Sequence, residues 1–330
     1  MVRQLGKGGM GTAYCVRSKD GSGGGGFLAL KKVACRNAAE CNAALGEAKT
    51  LQGLSHRNVV RYHNVFLHSD DGLVHACIVM EFCRSGDLAA HLMQLKEGGD
   101  RVDERRAMSW MFQLSDALVY LHSRRIVHRD LKPANVFLHL ISRTDMALKV
   151  GDFGLSATLE DGKRTSRVGT PCYFAPEILC NEEYAEPVDI WGAGCIFYEM
   201  LTLDFLWERR GILGAMVRTE PLTADALPSR LSVSIRNLVA ACLTFKGTRR
   251  PNARQLTEGI RALSQGNPVT FHVESAGGID EDWAAPIKSL LNPFSGTVAK
   301  LLSLGADATL ADGVRACAYM TTRSYTYSMR

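Results

Sequence analysis

The first 80 residues alternate apolar and polar positions over short stretches. This alternation is typical of strands with one buried face. It predicts strands at 12–19, 27–33, 61–67 and 74–80, and a single helix at 40–54 between the second and third of them. We therefore expect a small lobe that is built on an antiparallel sheet.

From residue 87 onward the apolar residues recur at helical spacing. The stretch at 108–123, MSWMFQLSDALVYLHS, predicts an amphipathic helix. Its apolar face would contain Trp110, Leu114, Ala117, Leu118 and Leu121. A second helix is predicted at 188–201, where the sequence is apolar on nearly every side and the helix should be fully buried. Residues 264–330 form a C-terminal extension of unknown role with one possible short helix at 298–304.

A glycine-rich stretch near the start of the chain, LGKGGMGTAYC at 5–15, has the spacing G-x-G-x-x-G. A dinucleotide-binding loop would open a helix, but the glycine-rich residues 20–26 cannot remain helical. A Walker A loop would place Lys and then Ser or Thr after Gly11, where Thr12 and Ala13 stand instead. What remains is a turn between antiparallel strands, of the kind that covers ATP phosphates in protein kinases.

Strand alternation in FLALKKV, at 27–33, places Ala29 and Lys31 on one face and Lys32 on the other. On the following helix Glu47 shares a face with apolar residues and would need a cation if it were buried. Lys31 is the natural partner. The alternative is that Glu47 lies at the edge of the helix.

The most informative segment is HRDLKPANVFL, at 128–138. It presents Asp130, Lys132 and Asn135 on a stretch that Pro133 keeps from being a regular helix. A carboxylate, an ammonium and a carboxamide are the groups that phosphoryl transfer requires. A strand-like run then leads to the tripeptide DFG, whose Asp152 is a hard oxygen ligand suited to Mg²⁺.

Composition narrows the possible classes of protein. The net charge is +5 over 330 residues and the basic pairs are scattered, so nucleic-acid binding gains little support. The ten cysteines contain no C-x-x-C pair, and the spacing of the clustered histidines His56, His63, His68 and His75 matches no metal site. We expect reduced thiols, no membrane span, no signal peptide and a cytoplasmic protein.

Taken together, these segments resemble a eukaryotic protein kinase across residues 1–263. The resemblance extends to VMEFC at 79–83, GTPCYFAPE at 169–177, DIWGAG at 189–194 and RRP at 249–251. Within that superfamily the sequence is most similar to the NIMA-related serine/threonine kinases. The resemblance implies an α+β, two-lobed fold. A small antiparallel-sheet N-lobe with one helix would occupy 1–80, a hinge 81–86, and a larger, mainly helical C-lobe 87–263.

The resemblance also implies ATP and Mg²⁺ as cofactors and assigns roles to individual residues. Asp130, Lys132, Lys31 and Glu47 would be catalytic, and Asn135 and Asp152 would bind the metal. The nucleotide would contact Leu5, Gly6, Lys7, Gly8, Gly9, Met10, Gly11, Thr12, Ala13, Ala29, Lys31, Met80, Glu81, Cys83, Asp87 and Phe137. Lys132 is typical of kinases that act on serine and threonine, and Thr170 would brace it. Glu177 and Arg250 would form a buried ion pair.

Regulation is suggested by Arg129, which stands beside Asp130 and has no obvious ion partner nearby in the sequence. A phosphate on Ser166, or on Thr165, could supply one. The implied partners are protein substrates with Ser or Thr acceptors, together with an upstream activating kinase or a second copy acting in trans.

Two features depart from the family pattern. Ala13 stands where a valine usually covers the adenine, and the chain begins five residues before Gly6, so the first strand should be short and weakly supported. The alternative function is a pseudokinase scaffold, although Lys31, Asp130, Asn135 and Asp152 are all present. An enzyme acting on a small metabolite is disfavoured by the peptide-positioning segment at 169–177.

Overall fold

The computed structural model describes the greater part of the first 271 residues. The described ranges are 2–8, 11–18, 26–70, 72–142, 145–153, 157–158, 170, 173–179, 182–206 and 222–271. They group into two compact units: unit 1 comprises residues 1–88 and 134–154, and unit 2 comprises 89–133 and the residues from 155 onward.

Unit 1 contains a five-stranded antiparallel sheet with the order β1-β2-β3-β5-β4. Its strands are β1 (Arg3–Gly8), β2 (Gly11–Arg17), β3 (Phe27–Cys35), β4 (Tyr62–Asp70) and β5 (Leu73–Glu81). The single helix α1 (Ala38–Gln52) lies in the chain between β3 and β4. The predicted sheet and its one helix are confirmed, with ends that differ by a few residues.

The predicted turn between β1 and β2 is also confirmed. The two strands are antiparallel and Gly8 pairs with Gly11 at the end of the hairpin. Gly11 has a φ of +125°, and a Cβ atom at this position would lie 2.2 Å from the backbone oxygen of Lys32 on β3. Only glycine therefore lets β2 approach β3 this closely. The expected weakness of the first strand does not prevent it from pairing along β2.

A second hairpin completes unit 1. Strands β7 (Val136–Leu140) and β8 (Met146–Val150) pair antiparallel, with Val136 opposite Val150. The backbone of Val150 accepts a hydrogen bond from Val60 and donates one to Asn58, each 2.8 Å long. These bonds attach the hairpin to the segment that precedes β4.

Unit 2 is built around two long helices. Its helices are α2 (Leu88–Gly98), α3 (Glu104–His122), α4 (Pro176–Leu179), α5 (Pro187–Thr202), α6 (Val233–Cys242) and α7 (Ala253–Ser264), and its short strands β6 (Ile126–Val127) and β9 (Ala157–Thr158) pair with each other. Helix α3 begins where Asp103 caps it by accepting a hydrogen bond from the backbone of Arg106. The predicted apolar face of α3 is confirmed, since all five of its residues are buried.

Helix α5 is buried along almost its whole length, as its uniformly apolar sequence predicts. It passes directly against Leu131, because a Cβ at Gly192 would lie 2.7 Å from the Cβ of that residue. No helix among the described residues is long and apolar enough to cross a membrane. The possible helix at 298–304 lies outside the described residues.

Candidate active site

The sheet of unit 1 brings four of the predicted nucleotide-binding residues to one face. Ala13 on β2 lies opposite Lys31 on β3, and Ala29 on β3 lies opposite Met80 on β5. Directly opposite residues of an antiparallel pair point to the same face of the sheet. The same face therefore carries two small side chains, a thioether and an ammonium. Lys32 binds Asp70 at 3.1 Å, and the alternation of the strand places it on the other face.

Lys31 forms an ion pair with Asp152, and both residues belong to unit 1. Asp152 has a φ of +56°, a left-handed conformation that is uncommon for a residue other than glycine. The following residue, Phe153, is fully buried and makes an edge-to-face contact with Tyr62, with ring centroids 6.0 Å apart. The backbone of Glu47 lies within α1, but its side chain is not among those described, so its pairing with Lys31 stays a prediction.

The two predicted metal ligands flank the β7–β8 hairpin. Asn135 directly precedes β7, and its backbone oxygen accepts a hydrogen bond of 3.0 Å from Gly151, the residue before Asp152. The carboxamide and the carboxylate are therefore fixed to the same end of one hairpin. Among the described residues, no group of three or more His, Cys, Asp and Glu side chains could hold a metal ion by themselves. One carboxylate and one amide oxygen do fit Mg²⁺ when phosphate oxygens and water supply the other ligands.

The segment after β5 contains Cys83 and Asp87 of the predicted adenine and ribose site, and it pairs with the strand that carries Phe137. Asp87 forms a β-bridge with Phe137, and Leu138 donates a hydrogen bond of 2.9 Å to Gly86. Cys83 is buried and accepts a hydrogen bond from Gly86 through its backbone oxygen. Burial, reinforced by the charge of Glu81, raises the pKa of the Cys83 thiol to about 12. This thiol is therefore protonated at neutral pH and is a poor nucleophile.

The side chain of Glu81 is held by three elements of unit 1. Lys149 on β8 lies 3.1 Å from its carboxylate and His139 on β7 lies at 3.8 Å. The backbone of Arg61 donates a hydrogen bond of 3.2 Å to the same group. These contacts fix the start of the segment at 81–88, and none of them was predicted from the sequence.

In unit 2, Asp130, Lys132 and Thr170 form a connected group. Lys132 Nζ lies 2.8 Å from Asp130 Oδ2 and also donates to the hydroxyl of Thr170. The backbone N–H and the hydroxyl of Thr170 both donate to Asp130 Oδ1, each at 2.8 Å. The Asp130 side chain is only 4% exposed, so these bonds determine its orientation. The predicted contact between Thr170 and Lys132 is present.

A third carboxylate, Asp189 on α5, was not assigned a role from the sequence. Its oxygens accept hydrogen bonds from the backbone N–H groups of His128 (2.9 Å) and Arg129 (3.0 Å), and one of them lies 2.9 Å from Nε2 of His122. Burial alone would raise the pKa of Asp189, but the hydrogen bond and positive charge of His122, with a contribution from His128, lower it below the usual value. Asp189 therefore stays ionised and holds the backbone directly before Asp130.

Replacing Asp189 with asparagine is expected to destabilise the protein by about 1–3 kcal/mol at pH 7, since an amide cannot accept all three bonds. Because the pKa of Asp189 is lower in the folded protein than the unfolded value of 3.8, its ionised form stabilises the fold above that pH. This stabilisation is lost as the pH falls through the pKa of the folded protein. The difference between variant and wild type should therefore shrink below about pH 4. Urea unfolding at pH 7 and pH 3 measures the difference in the free energy of unfolding between variant and wild type. The control is Asp225→Asn, which alters an exposed carboxylate. An equal difference at both pH values would contradict this assignment.

The predicted ion pair between Glu177 and Arg250 is present and has two parallel bonds. Arg250 Nη1 and Nη2 lie 2.7 and 2.8 Å from Glu177 Oε1 and Oε2. The guanidinium also donates to the backbone oxygens of Thr244, Pro187 and Phe245, at 2.7–2.9 Å. All five donors of a guanidinium are thus used. This pair connects α4 to the segment between α6 and α7.

Several predicted residues remain untested by geometry. Gly9, Met10, Thr165 and Ser166 lie outside the described residues. Leu5, Gly6 and Lys7 lie on β1 and are exposed, while Gly8 and Thr12 continue the hairpin backbone.

Comparison with known proteins agrees with this arrangement. Residues 1–259 match the sequence model of the protein kinase domain, so the chain belongs to the protein kinase family. It is 33% identical over 260 residues to the mouse serine/threonine-protein kinase Nek11, an alignment that covers 78% of this chain and 40% of that protein. The mouse serine/threonine-protein kinase Nek4 is 34% identical over 77% of this chain and 31% of its own length. The probable serine/threonine-protein kinase nek3 of Dictyostelium discoideum is 31% identical over 78% of this chain and 23% of its own length.

The predicted resemblance to NIMA-related kinases is thus confirmed by relatives that bear Nek names. The chain spans less than half the length of these relatives.

Proposed function

We propose that this chain is an ATP-dependent protein kinase that transfers the γ-phosphoryl group of Mg-ATP to serine and threonine hydroxyls of protein substrates. The observation that carries the proposal is the hydrogen-bonded group in unit 2 that Lys132 and Thr170 form with the buried Asp130. A carboxylate that is fixed beside an ammonium is suited to accept a proton while the ammonium stabilises negative charge. The relatives are named as serine/threonine-protein kinases, which supports the same acceptor class.

The residues of unit 1 are proposed to bind the nucleotide. Ala13, Ala29 and Met80 share the sheet face against which a flat adenine can pack, and Lys31 on the same face binds the α- and β-phosphates. The backbone of Glu81 and Cys83 is proposed to bind the adenine edge, with Asp87 near the ribose. The ion pair between Lys31 and Asp152 keeps the ammonium on the side of the hairpin that carries the metal ligands.

Asn135 and Asp152 are the residues that would hold Mg²⁺. The ion neutralises charge on the phosphate oxygens when it is bound. Asp152, which follows β8 in a left-handed backbone conformation, would contribute a carboxylate. Asn135, which directly precedes β7, would contribute an uncharged oxygen.

In the proposed chemical step, Asp130, Lys132 and Thr170 each have one role. The bond between the acceptor oxygen and the γ-phosphorus forms while the bond between that phosphorus and the leaving oxygen of ADP breaks. Asp130 takes the proton of the attacking hydroxyl, and Lys132 interacts with the transferring group. Thr170 keeps both side chains in position, and Asp189 holds the backbone of His128 and Arg129.

We further propose that phosphorylation at Ser166, or at Thr165, activates the enzyme. The support is the sequence pattern of Arg129 beside Asp130 together with these hydroxyls in the segment before Gly169. Mass spectrometry of active enzyme that finds neither residue modified would exclude this step. Residues 1–263 are the proposed catalytic domain.

Transfer of label from γ-labelled ATP to a generic protein substrate tests the proposal. The wild type is compared with Asp130→Asn and Asp152→Ala, and the labelled amino acid is identified after hydrolysis. We expect label on serine and threonine with the wild type and strongly reduced label with both variants. Equal labelling by all three proteins would identify a contaminating kinase. A wild type that binds ATP but transfers nothing would indicate a pseudokinase scaffold.

A further inference from the structure

Two buried cysteines lie in one small apolar cluster where β3 leads into α1. Cys35 is the last residue of β3 and Cys41 lies in the first turns of α1, six positions later. Each is only 7% exposed, and both pack against Ala76 in one small apolar cluster of unit 1. The side chain of Cys35 lies close enough to Cys41 to raise the pKa of the Cys41 thiol. Both are free cysteines in this structure.

The connection between the two cysteines is held by its own hydrogen bonds. The side chain of Asn37 accepts a bond of 2.9 Å from the backbone of Glu40, and the side chain of Glu40 accepts one of 2.8 Å from the backbone of Arg36. The first bond caps the start of α1, and the second ties Glu40 to the residue before the cap, so the entry into the helix is fixed. The five residues at 36–40 are all exposed. The thiols therefore lie beneath a short surface segment and keep a defined mutual position.

The geometry suits a covalent bond between Cys35 and Cys41, and not one between Cys35 and Cys77 of the sheet. A disulfide requires a sulfur–sulfur distance of about 2.05 Å, which two thiols of the same small cluster can reach through a small displacement. Cys77 on β5 pairs with Lys32, three positions before Cys35 on β3. At about 3.3 Å per residue, that offset places Cys77 roughly 10 Å along the strand from Cys35, too far for a bond.

We propose that Cys35 and Cys41 form a reversible disulfide that ties the start of α1 to the end of β3. The oxidant is a small-molecule disulfide such as oxidised glutathione. One thiolate attacks the oxidant, which releases one reduced glutathione and leaves a mixed disulfide. The second cysteine, after losing its proton, displaces the second glutathione. Two cysteine thiols are oxidised and one glutathione disulfide is reduced to two thiols, so electrons and protons balance.

The bond would act on the two elements that carry Lys31 and Glu47. Lys31 lies four positions before Cys35 on β3, and Glu47 lies six positions after Cys41 on α1. A tether between them restricts movement of the first turn of α1 relative to the strand. The inference does not depend on the proposed kinase activity, because its tests measure a covalent bond and amide exchange.

Exchange with oxidised glutathione is slow for a thiol that stays protonated. The hydrogen bond with Cys35, followed by burial and the charge of Glu40, raises the pKa of Cys41. The experiment is therefore run at mildly alkaline pH. The full chain is equilibrated in mixtures of oxidised and reduced glutathione, free thiols are blocked with N-ethylmaleimide, and the protein is digested with trypsin. Cleavage after Arg36 separates the two cysteines into peptides 33–36 and 37–49.

We expect the linked pair of these two peptides to exceed any other cysteine pair at least tenfold in the folded protein. A sample oxidised in urea should lose this selectivity. Cys35→Ser and Cys41→Ser should each abolish the linked pair and leave a mixed disulfide on the remaining cysteine, whereas Cys77→Ala should retain it. Hydrogen exchange in the first turn of α1 should slow in the oxidised wild type.

The wild-type result decides the question without any variant. Absence of the linked peptides at every glutathione ratio, while the urea-unfolded protein forms pairs freely, would overturn the proposal. A pattern of pairs in the folded protein that matches the pattern in urea would also overturn it.

Discussion

Replacing Asp130 with asparagine is expected to lower the turnover number roughly 10²-fold or more, with the affinity for Mg-ATP changed less than about threefold. An amide has nearly the shape of the carboxylate and can still bond to Thr170, but it cannot take a proton from the attacking hydroxyl. The residues proposed to bind the nucleotide lie in unit 1 and are unaltered by this change. Initial rates over a range of ATP concentrations, together with calorimetric titration of ATP, measure the two effects separately.

The matched control for this variant is Asp100→Asn, which alters an exposed carboxylate of the same unit. Its turnover number should equal that of the wild type. If Asp130→Asn kept its turnover number, Asp130 would not be the proton acceptor. If instead it lost ATP binding and turnover in parallel, the residue would act through folding and not through chemistry.

Replacing Arg250 with methionine is expected to lower the free energy of unfolding by about 3–5 kcal/mol. The change leaves the Glu177 carboxylate without its cation, and the backbone oxygens of Thr244, Pro187 and Phe245 without their donors. Glu177 is only 9% exposed on its side chain and Arg250 is 0% exposed, so water cannot readily replace the lost bonds. Urea unfolding followed by fluorescence and by circular dichroism measures the loss.

The neighbouring Arg249 provides the control, since its side chain is exposed and Arg249→Met should change stability by no more than about 0.5 kcal/mol. The variant Glu177→Gln should also be destabilised, because a neutral amide cannot form the two parallel charged bonds. Equal stability of Arg250→Met and wild type would show that the ion pair contributes only to specificity, contrary to this account.

The parts of the site that follow from local pattern could be predicted from the sequence. Period-two alternation placed Lys31 and Lys32 on opposite faces, and the structure gives them separate partners in Asp152 and Asp70. The glycine at position 11 followed from the spacing of the loop, and the structure shows the close approach to Lys32 that requires it. The buried face of α3 followed from helical periodicity.

The contacts that join distant segments could not be predicted in this way. Asp189 binds backbone groups 60 and 61 positions earlier, and nothing in the local pattern of α5 identifies these partners. A carboxylate inside a uniformly apolar helix was the available signal, since such a group must find donors when it is buried. The ion pair between Lys31 and Asp152 also joins residues far apart in the chain, 121 positions from each other, and local pattern could not identify it.

The side chain of Glu81 shows a different limit. The family resemblance implied a contact between Glu81 and the nucleotide, whereas the contacts of its side chain with Lys149 and His139 depend on how the β7–β8 hairpin docks within unit 1. Sequence-based reasoning assigned residues 134–154 to the part of the chain after residue 87, although their contacts group them with residues 1–88. The hairpin is attached to unit 1 by the backbone bonds of Val150 with Asn58 and Val60, and the sequence of the hairpin does not identify these partners.

A single-turnover experiment tests the central claim most directly. The purified 330-residue chain, in excess over γ-labelled ATP, is mixed with Mg²⁺ and a protein substrate, and the labelled substrate is quantified over time. The account predicts nearly complete transfer of the bound label to serine and threonine, at a rate that falls roughly 10²-fold or more in Asp130→Asn. Wild-type chain that binds the nucleotide yet transfers label no faster than Asp130→Asn would contradict it.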